Sequence, residues 1–144
     1  MTRSAELAYR LEVPEGWLVE DVAGGALMVA RDPDSGTSFA ANVNVVRCDP
    51  DPPTEPAAVL RESIAAMQRL LADFVALETD EGAEPRLLYT FRQGEDGVTA
   101  EQRYVFAGDT YFVVTATAAN SDWRGRGPAL AAMLDSFELV ESPP

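Results

Sequence analysis

The apolar positions of this chain change period along its length. Up to Arg47 they come in short runs cut by turn residues: Ala8 to Val13, Trp17 to Val22, Ala26 to Arg31 and Phe39 to Arg47. Val13-Pro14-Glu15-Gly16, Gly24-Gly25 and Asp32-Pro33-Asp34-Ser35-Gly36 are the cuts, each with residues that favour tight turns. Such runs predict four strands, and connections too short for a crossover helix predict antiparallel pairing. Further on the period lengthens. Leu60, Ile64, Met67, Leu71 and Phe74 recur at steps of four and three, one stripe of a helix that packs on a sheet. Thr54 is the expected N-cap, and Pro56 fits the first turn, where its missing amide has no helical partner. Arg61, Glu62, Gln68, Arg69 and Asp73 fall largely on the other, wet side.

The period of two then returns in Val75 to Thr79, Pro85 to Arg92, Val98 to Ala107 and Thr110 to Ala118. Gly108-Asp109 supplies a two-residue hairpin turn between the last two. In Thr110 to Ala118 both alternating sets are apolar or small, which predicts a central strand covered on both faces. Val98 to Ala107 sets Ala100, Tyr104 and Phe106 against Thr99, Glu101 and Arg103, the pattern of a half-exposed strand. A second helix is expected over Pro128 to Asp135. Phe137-Glu138-Leu139-Val140 is either its end or a short edge strand. The whole reads as one α+β domain over residues 1–144, a twisted antiparallel sheet flanked by helices.

Length and composition agree with this picture. A chain of 144 residues, 47% of them apolar, can bury roughly 70% of the surface its unfolded form exposes. No window approaches the length of a membrane span. The start, Met1-Thr2-Arg3-Ser4-Ala5-Glu6, shows no secretory signal, and the single Cys48 can form no internal disulfide. The expected location is therefore the cytosol.

Charge narrows the partners. The 24 acids and 11 bases give a formal charge of −13, every base is arginine, and histidine is absent. Phosphate backbones and anionic lipids are poor partners for such a field. Net acidity either maintains solubility or forms an acidic patch that recruits a basic partner.

Absent residue types remove reaction classes. Without histidine there is no imidazole base, no Ser-His-Asp or Cys-His system and no His-containing zinc site. Without lysine there is no Schiff base and no phosphate-loop lysine. Cys48 has no neighbouring base that would make it a thiolate. What remains is a carboxylate pair, for glycoside hydrolysis or a hard cation. Asp32, Asp34 and Gly36 lack the glycine and glutamate positions of a calcium loop and read as a turn. Asp49 and Asp51 alternate with prolines, and Asp80, Glu81, Glu84, Glu95 and Asp96 sit at strand ends, where turn chemistry accounts for them. The chain is expected to be no enzyme and to need no cofactor or metal.

Two segments are candidate binding surface. Asp122-Trp123-Arg124-Gly125-Arg126-Gly127 gathers an aromatic and two arginines in an acidic chain, and Trp and Arg are enriched at interface hot spots. The alternative is that Trp123 closes one end of the core while Arg124 and Arg126 balance local acids. In Phe39 to Val45, Asn42 and Asn44 share a strand face, either satisfying neighbouring loops or lining a polar cleft.

Several of these phrases resemble the PsbP-like superfamily, which includes the Ran-binding Mog proteins, DcrB-related proteins and LpqN lipoproteins. They are Val13-Pro14-Glu15-Gly16-Trp17, the Asn-containing strand Phe39 to Val45, Glu101-Gln102-Arg103-Tyr104-Val105, Tyr111 to Ala118, and Met133-Leu134-Asp135-Ser136-Phe137-Glu138-Leu139. The resemblance implies a PsbP-like α/β/α sandwich used as a docking module without a catalytic centre. Its members bind a small GTPase, a photosystem or hydrophobic effector segments awaiting export. This chain is expected to depart from the secreted members, since Met1 to Glu6 read as neither a leader nor a lipid-acceptor site. The expected function is a cytosolic protein-binding adaptor or chaperone with an unidentified protein partner, a secretion-related client or a second copy of the chain meeting an exposed sheet face. The alternatives are a carrier with an apolar pocket between the long helix and the sheet, and a carboxylate-pair hydrolase.

Overall fold

A computed structural model of the chain describes residues 7–20, 26–33 and 39–141. Among these run β1 (Leu7–Arg10), β2 (Leu18–Glu20), β3 (Ala26–Arg31), β4 (Asn42–Cys48), α1 (Pro56–Leu70), β5 (Ala72–Asp80), β6 (Arg86–Gln93), β7 (Asp96–Ala107), β8 (Thr110–Ala119), α2 (Asn120–Ser136) and β9 (Glu138–Glu141). Seven strands form one antiparallel sheet in the order β2-β3-β4-β8-β7-β6-β5, and β1 pairs with β9 outside it. The class is α+β.

The helices lie on opposite faces because β8 is apolar on both. Phe112, Val114, Ala116 and Ala118 meet Leu130, Met133 and Leu134 of α2, while Tyr111 and Val113 join Val59, Leu60, Ile64 and Met67 of α1. As its alternation predicts, β8 is the central strand, between β4 and β7.

Four expectations are corrected. β1 does not pair with β2. The turn at Val13-Pro14-Glu15-Gly16 forms, with the Trp17 amide donating to the Pro14 carbonyl at 3.3 Å and Gly16 at φ 89°. Leu11 and Val13 before it pack on the α2-side core, and β9 supplies the partner of β1, Arg10 lying opposite Glu138. Phe137 to Val140 thus leads into a strand. The long helix is capped by Glu55, not Thr54, without a side-chain bond, and it ends at Leu70. Leu71 and Phe74 continue the packing of the helical stripe from the turn and from β5. The second helix begins at Asn120, well before Pro128, its first turns tied down by the ion pairs of Arg126 with Asp122 and Asp32. Finally, the polar side of β7 is not half-exposed, because α2 covers much of it. The segments Gly24-Gly25 and Asp34 to Gly36, read as turns, lie outside the described residues.

Under α1 the polar groups form a chain. The Tyr89 hydroxyl donates to Gln102 Oε1 at 3.0 Å, and Gln102 Nε2 donates to the Tyr104 hydroxyl at 3.0 Å. Burial, reinforced by neighbouring Tyr104, pushes the Tyr89 hydroxyl up to about 12, and burial raises Tyr104 as well. A tyrosine whose folded pKa exceeds its unfolded one, near 10, contributes stability that is intact below pH 10 and lost as pH rises toward 12. Denaturant melts from pH 9 to 12 are expected to show that loss. Tyr89→Phe should flatten the slope, and an unchanged slope would refute the assignment.

Candidate functional site

The pairing register lays side chains in rows across the α2 face. One row runs Met28, Val45, Val114, Arg103, Arg86, Asp80, and the next runs Ala30, Val43, Ala116, Glu101, Leu88, Glu78. Both change from apolar to charged at β7, where α2 ends its cover. The boundary is a chain of ions. Arg103 Nε meets Glu101 Oε2 at 2.8 Å, Arg103 Nη1 meets Asp135 Oδ1 at 2.5 Å, and Arg86 Nη2 meets Glu101 Oε2 at 3.2 Å. Glu101 is only 12% exposed and Arg103 19%. Asp135 stands in the last turn of α2, where the helix dipole disfavours an anion. The hydrogen bond from Arg103 holds its carboxyl below the usual carboxylate range.

Beyond this boundary the sheet is bare. A groove of about 340 Å³ runs over β5 and β6, lined by Glu78, Thr79, Asp80, Arg86 and Leu88. Beside it β5 closes the sheet as an edge strand, with β6 as its one neighbour. Val75 and Leu77 on β5 are each 52% exposed, and Leu70, just before it, is 79% exposed. Leu18 and Val19, the other large exposed apolar residues among those described, sit on β2, the opposite edge. Among the described residues the large exposed apolar side chains within strands therefore lie on the two edge strands, of which β5 is the longer.

Two further grooves flank α2. One of about 290 Å³ is lined by Glu12, Val13, Pro14, Ala129, Ala132 and Met133. The other, of about 490 Å³, lies among Arg10, Glu12, Ala132, Asp135, Ser136 and Glu138. The space between α1 and the sheet, where an apolar ligand would sit, is filled by Val59, Leu60, Leu87, Tyr89, Ala100 and Tyr104. Among the described residues no three Asp, Glu or Cys side chains converge as metal ligands, and no helix is long and apolar enough to cross a membrane. Asp49 is held low, first by a hydrogen bond from Thr110 and then by one from Arg47.

No protein-family model and no curated protein matches the chain. Solved structures do. Mycobacterium tuberculosis LpqN, described as involved in cell envelope biogenesis, aligns with a TM-score of 0.69 at 13% identity over 96% of this chain and 86% of its own. A Pseudomonas aeruginosa protein of unknown function aligns at 0.64 with 16% identity, over 93% of this chain and 92% of that one. Cyanobacterial PsbP from Synechocystis aligns at 0.62 with 16% identity, over 96% of this chain and 95% of that one. The chain has the PsbP-like fold. Identities this low establish architecture alone.

Within the PsbP-like fold the five residues singled out from sequence separate. Trp123, Arg124 and Arg126 lie in the first half of α2, not in a loop. Trp123 is half-buried against the α2-side core, and Arg124 is exposed. Arg126 is bound to two acids, Asp122 one turn back at 2.5 Å and the buried Asp32 after β3. Asn42 and Asn44 lie on the α1 face of β4, opposite Thr117 and Thr115 of β8, and Asn42 Nδ2 donates to the Ala40 carbonyl at 3.0 Å. The two groups thus belong to different regions. Val75, Leu77, Arg86 and Leu88 were not singled out, because the strands they occupy read as ordinary. The available signal was that Ala72 to Glu84 carries five acids and no arginine around Phe74, Val75 and Leu77.

Proposed function

We propose that this chain is a non-enzymatic adaptor that docks a protein partner on the β5 side of its sheet. The observation that carries the reading is the exposure of Val75 and Leu77 on one edge strand beside an open groove. Apolar side chains at an unpaired edge invite association unless a partner covers them. Architecture supports the same reading, since the polar side chains on the α2 face form ion pairs at a boundary and do not converge on an enclosed pocket. A cytosolic location belongs to the proposal, supported by the free, half-buried Cys48, which needs no oxidising compartment.

The test uses Val75→Lys/Leu77→Lys, both at exposed positions where the fold should tolerate charge. Native capture followed by titration is expected to find a stoichiometric protein partner for the parent chain. The variant should lose it by roughly 30- to 100-fold. Recovery of no partner, or equal affinity of the two proteins, would contradict the proposal.

A further inference from the structure

β5 offers more than apolar area. As the last strand of an antiparallel sheet, it turns every second backbone N–H and C=O away from β6. Register shifts between Ala72 and Val75 and between Ala76 and Glu78 bend it locally, yet pairing with β6 continues to Asp80 opposite Arg86. The rim is also strongly one-signed. From Ala72 to Glu84 the acids are Asp73, Glu78, Asp80, Glu81 and Glu84, with no base among them. Arg92 pairs with Asp73 at 3.2 Å. Glu78, Asp80, Glu81 and Glu84 are exposed and form no ion pair with a described residue.

Bulges and edge charges are devices that prevent sheets from joining indiscriminately. Here they act selectively. A second copy of a chain with net charge −13 would bring another acidic rim against this one, and like charges facing each other across strands are destabilising. A strand with basic side chains meets the opposite situation, since its charges would lie beside four carboxylates outside any ion pair with a described residue, against one base, Arg86, opposite Asp80.

We infer that β5 accepts an extended, basic segment of another protein as an eighth strand of the sheet. Backbone hydrogen bonds to β5 hold the segment. Val75, Glu78 and Asp80 share one face of the sheet by their register with Thr90, Leu88 and Arg86. The arginines or lysines therefore lie on that face, their stems over Val75 and their charges at Glu78 and Asp80, while the alternate apolar side chains turn to the other face. This rests on the docking proposal above and names the chemistry of the partner.

The probes are three synthetic peptides of about ten residues, a usual strand length. One alternates valine with arginine, one alternates valine with glutamate, and one is the arginine peptide N-methylated at alternate amides. Calorimetry and amide hydrogen exchange on the intact chain read the outcome. The arginine peptide is expected to bind and to slow exchange in Val75 to Asp80. The glutamate and N-methylated peptides should each bind at least about tenfold more weakly. Glu78→Lys/Asp80→Lys should weaken the arginine peptide by a similar factor while leaving the thermal melt in place.

Equal binding of the N-methylated peptide, or protection that spares β5, would overturn strand addition. Equal binding of the glutamate peptide would overturn selection by charge, and binding of none would overturn the inference as a whole. Protection of β5 in a dimer formed without peptide would give the rim to a second copy. Any of these results leaves the docking proposal to the capture experiment, which reads a natural partner and the effect of Val75→Lys/Leu77→Lys.

Discussion

Phe112→Ala is expected to destabilise the protein by about 3–5 kcal/mol, the range for deleting a buried aromatic ring. The ring is fully buried in the central strand. Its centroid lies 6.2 Å from Tyr9 and 5.9 Å from Phe137, which themselves stack at 5.7 Å. These three rings fasten the β1-β9 pair to the main sheet. The void should therefore loosen the two-stranded sheet as well as the core, and relaxation around it is limited because the neighbours are parts of separate strands. In a chain of this length the change corresponds to a fall in Tm of roughly 10–15 °C. Calorimetry measures it, and a shift of only a few degrees would mean that the rings repack freely.

Arg126→Ala should cost about 2–4 kcal/mol, because it strips the guanidinium from a carboxylate that is largely out of water. Asp32 is 7% exposed, and Arg126, 94 residues further along the chain, joins it to Asp122. The loss falls on the first half of α2, where Gly125, Gly127 and Pro128 give little helical preference of their own. Asp32→Asn in the Arg126→Ala background should recover about half of the deficit, since the buried charge is then gone. A partner-binding role for Arg126 would instead leave stability unchanged while weakening capture. Melts and capture on the same variant separate the two.

How far the sequence discloses this molecule depends on whether a residue's role is local. Pro14, Gly16 and Trp17 spell a turn, and the turn forms. Ser136-Phe137 is legible as a phrase, and each residue has a task. The Ser136 hydroxyl accepts the Glu12 amide at 2.9 Å and donates to the Met133 carbonyl at 2.6 Å, while Phe137 enters the ring cluster. Thr110 to Ala118 declares itself central because neither of its faces suits water.

What escaped the sequence depends on distant partners. The segment Asp122 to Gly127 has the composition of a loop, and the tether from Arg126 to Asp32 overrides that preference. Glu101 and Arg103 look like water-facing residues of a half-exposed strand, yet ions from β6 and α2 satisfy them under cover. Pairing of β1 with β9 joins the two ends of the chain, and no local pattern encodes it. Val75 and Leu77 were missed for the same reason, since a strand becomes a rim only through the pairing order of the finished sheet. Asn42 and Asn44 were legible as polar residues on one strand face, and the fold sets them across the sheet from the rim.

Amide hydrogen exchange on the protein with its captured partner tests the docking account most directly. With the partner on the β5 side, exchange should slow in β5 and along the neighbouring side of β6, while α2 from Asn120 to Arg126 and the Asn42–Asn44 stretch of β4 keep their free rates. Slowing confined to α2 or β4, with Ala72 to Asp80 unaffected, would contradict it.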